Sequence, residues 1–234
     1  MATRVNAGVD VRDTADAFVA KWRARWPEWA LSQVFVPTAQ RDGWAAWFAL
    51  VDELLEAAWA HADPRPGEAK LGWWAQELQG WAAGARRHPL GRVLPLGHPA
   101  WTRLAAALPA LATARNAASP DALRAVLPAV ADALGAVDAL LAPSTPPGTQ
   151  AGWMAWLVVR RMAIGAVDPA SAPAGGPPPA DPHATRAAHA SRSASDLWRA
   201  IAHARMRRGD ASRPLPPWRA LLTAWRTARN AVVH

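Results

Sequence analysis

The stretch 67-GEAKLGWWAQELQGWAAGARRHPLGRVL-94 decides the fold class. Leu71, Trp74, Leu78 and Trp81 recur at i, i+3, i+7 and i+10, which is one face of an α-helix and not the alternation of a strand. Pro66 and Gly67 punctuate its start, and Glu68 suits a first helical turn. Gly84 offers an exit, with Arg86 and Arg87 well placed for the negative end of the helix dipole. His88-Pro89 then breaks the chain before Leu94.

The helical period extends in both directions. Asp13–Trp29 reads as a first helix, capped by Asp13 or Thr14, with Phe18, Val19, Trp22 and Trp26 on one face. A second helix spans Thr38–Ala60, with an apolar stripe of Trp44, Trp47, Phe48, Val51, Leu54, Leu55 and Ala58. Glu53 falls opposite that stripe, and Asp52 and Glu56 on its flanks. Beyond the opening stretch, His98-Pro99 begins a helix that Pro109 should kink. Ser119-Pro120-Asp121 begins the next, which Pro128 interrupts. Gln150–Val167 is apolar on most sides and so central. Residues 168–183, DPASAPAGGPPPADPH, form a Pro-rich linker within a single domain spanning 1–234. Two helices follow: Ala184–Arg208, with Leu197, Trp198, Ile201 and Ala204 inward, and Pro217–Val233, with Leu221, Leu222, Trp225 and Val232 inward. No strand period competes, so the chain is all-α.

Composition narrows the chemistry. There is no cysteine, which removes disulfides, thiolate metal sites and a cysteine nucleophile. The net charge is +8, and it is uneven: residues 1–149 carry 14 basic and 14 acidic side chains, residues 150–234 carry 12 and 4. A basic excess suggests nucleic acid or an anionic membrane as partner. Lysine occurs only at Lys21 and Lys70, and tyrosine not at all. GC-rich codon usage explains such an arginine-rich composition without any nucleic-acid partner. The N-terminus lacks the apolar core of a secretory signal, and the most apolar stretch, Trp153–Val167, is broken by Arg160 and Arg161. The expected location is the cytoplasm, with peripheral membrane contact as an option.

Residue order in the opening stretch adds a resemblance. Gly67, Glu68, Leu71, Trp73, Trp74 and Leu78, followed by His88 and Pro89, resemble the Gly-Glu-x-x-Leu-x-Trp-Trp-x-x-x-Leu…His-Pro run of the squalene/phytoene synthase family. Phe35-Val36-Pro37 is similar to the family's Phe-x-Pro before its next helix. The resemblance covers Trp26–Leu94 and, more loosely, Ala184–Pro216. It implies an isoprenoid-synthase-like helical bundle. It also implies an apolar cavity between the second helix, the Trp-Trp helix and Gln150–Val167. Trp73, Trp74, Glu77 and His88 would belong to the family motif beside that cavity.

Family enzymes join two isoprenyl diphosphates, using Mg²⁺ held by two aspartate-rich motifs. A first motif maps to Asp52 and Glu56, at i, i+4, where two carboxylates could share the ion. Their ordinary reading is a solvated helix flank. The second motif, Arg-Asp-x-x-Glu-Asp, is gone. Arg199, His203, Arg205, Arg207 and Arg208 stand in that segment, and Arg213 precedes a surviving Leu215-Pro216. Arginine repels a hard cation, so the resemblance does not carry the activity.

The family has non-catalytic members, among them a mitochondrial complex I assembly factor. The leading expectation is therefore a non-catalytic homologue that binds an isoprenoid or lipid diphosphate, or a protein partner. Arg199, Arg205, Arg208 and Arg213 would grip phosphate directly, with Arg205 and Arg208 one helical turn apart. One alternative is a Mg²⁺-dependent prenyltransferase using Asp52, Glu56 and Glu77. The other is a basic helical module acting through Arg199, Arg205, Arg207 and Arg208. His183, His189 and His203 each read as surface or capping histidines, since His189 and His203 lie four turns apart on a helix, too far to chelate one metal, and the fifteen tryptophans read as core.

Overall fold

The computed structural model describes residues 14–143, 149–165, 193–208 and 213–229. The linker 168–183, His183, His189 and Val232 lie outside them. Ten α-helices and no strand occur among the described residues, so the chain is all-α. They are α1 (Ala15–Arg25), α2 (Trp29–Ser32), α3 (Arg41–Trp59), α4 (Pro64–Ala82), α5 (Pro99–Ala114), α6 (Pro120–Val126), α7 (Pro128–Leu141), α8 (Thr149–Gly165), α9 (Ala194–Met206) and α10 (Pro217–Arg229).

Proline sets half of the ten helix starts. Pro64, Pro99, Pro120, Pro128 and Pro217 each open a helix, where the missing N–H has no intrahelical acceptor to lose. Side chains satisfy the free N–H groups of the first turns: Asp63 accepts from Arg65, His98 from Ala100, and Ser119 from Ala122. Ser193 and Asp196 form a reciprocal capping box on α9. Pro128 thus separates two helices, whereas Pro109 lies inside α5.

The first helix is shorter than its apolar spacing suggests. Pro27 disfavours helical geometry at Trp26, so α1 ends at Arg25 and a separate turn, α2, begins at Trp29. Helix α4 begins three residues before Gly67. That glycine serves a different purpose from punctuation: a Cβ on it would lie 2.0 Å from the Ala57 carbonyl oxygen. Only a bare Cα lets α4 cross α3 at this distance. Gly84, with φ of 81°, is the expected left-handed exit after α4.

α3 is the central element, buried on nearly every side from Trp44 to Trp59. Around it the neighbours run α4, α5, α7, α8 and α9, then α10, which returns to α2. Twelve of the fifteen tryptophans are buried, and only Trp73, Trp218 and Trp225 are exposed. Trp198 of α9 is the hub of an aromatic cluster. Its ring lies 4.5 Å from Phe48, 4.9 Å from Trp156, 5.7 Å from Trp26, and 6.1 Å from both Trp22 and Trp153. These tilted and edge-to-face pairs fill the space between α1, α3, α8 and α9. That space includes the α3–α8 interval where the family resemblance expects a cavity.

No described helix is long and apolar enough to cross a membrane.

Candidate functional site

The α3 carboxylates lie together, as expected, but not on a solvated flank. Asp52 and Glu53 are buried, and Glu56 is partly so. The reason is the cations around them. Arg25 of α1 donates to Asp52 at 2.5 Å and to Glu56 at 3.0 Å. Lys21, one turn earlier, reaches Glu53 at 2.6 Å and Glu56 at 3.2 Å. Lys70 of α4 donates to the other Glu53 oxygen at 2.6 Å, and Arg160 of α8 stands 3.9 Å from Asp52. Glu53, expected opposite the apolar stripe, faces inward because two lysines neutralise it.

Four cations thus surround three carboxylates and tie α1, α4 and α8 to α3. Burial would raise the Glu53 carboxyl, but the hydrogen bonds from Lys21 and Lys70 hold it below the usual range. At Asp52 burial prevails over Arg25 and Arg160 and pushes the carboxyl up. Such a set does not fit Mg²⁺, which needs uncommitted anionic oxygens and would enter a field already positive. Among the described residues no three His, Asp or Glu side chains gather as a metal-ligand set.

The family-motif residues meet at the end of α4. Glu77 is buried and accepts from Trp81 Nε1 at 2.8 Å, from the Arg87 and His88 backbone N–H groups at 2.8 and 2.7 Å, and from Arg87 Nε at 3.1 Å. Burial opposes its ionisation, and these four donors more than compensate, holding its carboxyl low. Glu77 therefore organises the Arg87–His88 turn and has no free oxygen directed at the α3 cluster. His88 packs its ring against Phe18 at 4.4 Å and Trp74 at 4.6 Å, while its Nδ1 caps the following turn at Leu90. Trp73 remains exposed beside it, with rings 5.8 Å apart.

The arginines expected to grip phosphate divide into two kinds. Arg199 and Arg205 are buried and committed to carboxylates, while Arg208 and Arg213 are exposed. Arg199 donates to Asp196 at 2.6 Å and contacts Asp138 of α7 at 3.5 Å. Asp138 is fully buried and also accepts from Trp47 Nε1 at 2.9 Å, Trp153 Nε1 at 2.8 Å and Ser195 Oγ at 2.8 Å. One carboxylate thus links α3, α7, α8 and α9. Burial pushes its carboxyl up, against Arg199 and the three neutral donors.

Arg205 makes a two-pronged pair with Glu28, through Nε at 2.7 Å and through Nη2. Nη2 also donates to the Arg25 carbonyl oxygen, and the guanidinium lies 4.2 Å from the Trp26 ring. Glu28 further accepts the Leu215 N–H at 2.6 Å. The expected convergence of Arg205 and Arg208 on one phosphate is therefore corrected: Glu28 draws Arg205 inward and offsets the cost of its desolvation.

The sequence reading missed Asp138 and Glu28. Each had a signal. Asp138 is a lone carboxylate beside Leu134, Val137 and Leu141 on an apolar stripe, and Glu28 sits between Trp26 and Trp29. A carboxylate in such a setting must find donors, because an unpaired buried charge is too costly. No protein-family model, curated protein or solved structure matches this chain.

Proposed function

We propose that this chain is a non-catalytic protein with a squalene/phytoene synthase-like helical bundle, which binds a partner and does not condense isoprenyl diphosphates. The observation that carries this reading is the neutralised cluster on α3. The residues that map to the first metal motif, Asp52 and Glu56, are held by Arg25, Lys21 and Arg160. The segment that maps to the second motif turns its arginines onto Asp138 and Glu28. Both halves of a metal-diphosphate site are thus replaced by internal ion pairs that stabilise the bundle. The Trp73-Trp74, Glu77 and His88 arrangement supports the family-like architecture, since Glu77 fixes the His88 turn as a structural unit. Arg208 and Arg213 remain the exposed arginines for a lipid diphosphate.

The test is to incubate purified protein with Mg²⁺ and farnesyl or geranylgeranyl diphosphate. No condensation product should form, and Mg²⁺ alone should leave the melting temperature unchanged. Mg²⁺-dependent condensation that disappears in Asp52→Ala and Glu56→Ala would establish a working prenyltransferase instead. For the ligand, farnesyl diphosphate should stabilise the protein in EDTA more than farnesol does. Arg208→Ala with Arg213→Ala should remove that difference. Equal stabilisation by alcohol and diphosphate would discard a diphosphate ligand.

A further inference from the structure

Helix α10 faces the wrong way for a core helix. Its buried residues are Ala220 and Ala224, whose small side chains let it lie close against α9 and α2. The large apolar residues point outward: Trp218 is 62% exposed, Leu221 46% and Trp225 42%. This corrects the expectation that Leu221 and Trp225 face the core. With Leu222 and Phe35 they line an open groove of about 570 Å³. The α2 region against which α10 packs adds exposed Leu31 and Val34.

The charge on this face has one sign. From residue 213 to 229 there are four arginines and no acidic residue. Arg219 and Arg229 lie over the exposed indoles of Trp218 and Trp225, at 5.0 and 4.9 Å. On a helical projection Arg229 falls among Trp218, Leu222 and Trp225, and Arg226 and Arg219 border them on one side. The apolar patch and the cationic rim are therefore one surface.

We propose that this α10 face docks on an anionic lipid bilayer surface, with the helix lying in the plane of the interface. The indoles would sit at headgroup depth, where an amphipathic ring is stabilised at both ends, and the arginines would meet lipid phosphates. Charge separates this occupant from a second copy of the chain. Pairing two such faces would bring together two sets of unneutralised arginines, which repel. Docking of this kind is compatible with a catalytic and a non-catalytic bundle alike, and its test reads neither condensation nor Mg²⁺.

Flotation with vesicles tests it, using phosphatidylcholine alone and phosphatidylcholine with about a third phosphatidylglycerol. The wild-type chain should float with the anionic vesicles, less so in high salt, and stay behind with the neutral ones. Trp218→Ala with Trp225→Ala should weaken binding roughly tenfold. Arg219→Gln, Arg226→Gln and Arg229→Gln together should weaken it roughly a hundredfold. All of these positions are exposed, so circular-dichroism melts of the variants should match wild type and exclude misfolding. Equal recovery with neutral and anionic vesicles, or variants that float as wild type does, would overturn the proposal. A wild-type dimer by light scattering that the tryptophan variant dissolves would assign the face to a second copy and also overturn it.

Discussion

Helices α9 and α10 follow one another, are both rich in arginine, and both carry tryptophan, yet they treat these residues in opposite ways. α9 buries Trp198 among five aromatic rings and commits Arg199 and Arg205 to internal carboxylates. α10 buries two alanines and leaves Trp218, Trp225 and its arginines outside. The difference lies in the partners and not in the residue types. Asp138 and Glu28 await the α9 guanidiniums inside the fold, whereas no acidic residue lies along α10. A guanidinium enters the core only where an anion offsets its desolvation. The same arginine-rich composition therefore yields structural clamps on one helix and a charged surface on the next.

Removing the anion under α9 should have the largest effect. Asp138→Ala takes the acceptor from Trp47, Trp153 and Ser195 and leaves Arg199 with Asp196 as its remaining carboxylate. A loss of about 3–5 kcal/mol is expected in urea unfolding, enough to leave a marginal domain unfolded. Asp138→Asn keeps the size and part of the hydrogen bonding and should lose less. At the second clamp, Glu28→Leu and Arg205→Met should each cost about 3 kcal/mol alone. The double variant should be clearly more stable than the sum of the two predicts, because it strands no charge. It should not return to wild type, since the Leu215 N–H loses its acceptor. Additive losses would mean that the pair is not coupled and that the contrast between the helices is not electrostatic.

How far this contrast was legible in the sequence follows from what periodicity can register. Apolar spacing located α3, α4 and α8 and set the all-α class, and Pro99, Pro120 and Pro217 marked helix starts. It also placed Leu197, Trp198 and Ile201 inward on α9, where they are. Periodicity fails where polarity and depth part company. Glu53 lies opposite the α3 stripe, yet Lys21 and Lys70 from two other helices make its burial affordable. Conversely, Leu221 and Trp225 form a perfectly periodic apolar face on α10 that covers nothing described. Periodicity finds a face; only tertiary contacts decide whether alanine or tryptophan is on the inside. The candidate site followed suit: Asp52 and Glu56 were found as a pair, and the cations that annul them came from residues 27 or more positions away.

His203 of α9 sharpens the comparison with a smaller effect that depends on pH. Burial, then the nearby Arg207 and Arg199, lowers its pKa from 6.5 to about 4. The unfolded chain therefore takes up a proton as pH falls through 6.5, while the folded chain refuses it until about 4. Stability is lost on going down through that window, at no more than about 1.4 kcal/mol per pH unit. His203→Gln should flatten this part of the profile. The check is the difference in urea midpoint between variant and wild type, taken near neutrality and again near the lower end of the window. A difference that does not change with pH would mean that the imidazole is as solvated as the exposed face of α10.

The smallest stability effect is expected on α10 itself, and smallness is what the comparison demands there. Arg219, Arg226 and Arg229 lie on the surface, and two of them lie against indoles that are themselves exposed. Stacking a guanidinium on an exposed ring contributes about 0.5–1 kcal/mol at most. Mutual repulsion along a helix that has no acidic residue works against it. Replacing all three by glutamine should therefore change unfolding free energy by less than about 0.5 kcal/mol per position, in either direction. Arg205→Gln, one charge on the preceding helix, should exceed the three together. Parallel urea titrations of the single and triple variants read the ratio directly. If the triple variant lost as much as Arg205→Gln, the α10 arginines would have to hold anionic partners within the fold, and the outward face of this helix would be structural after all.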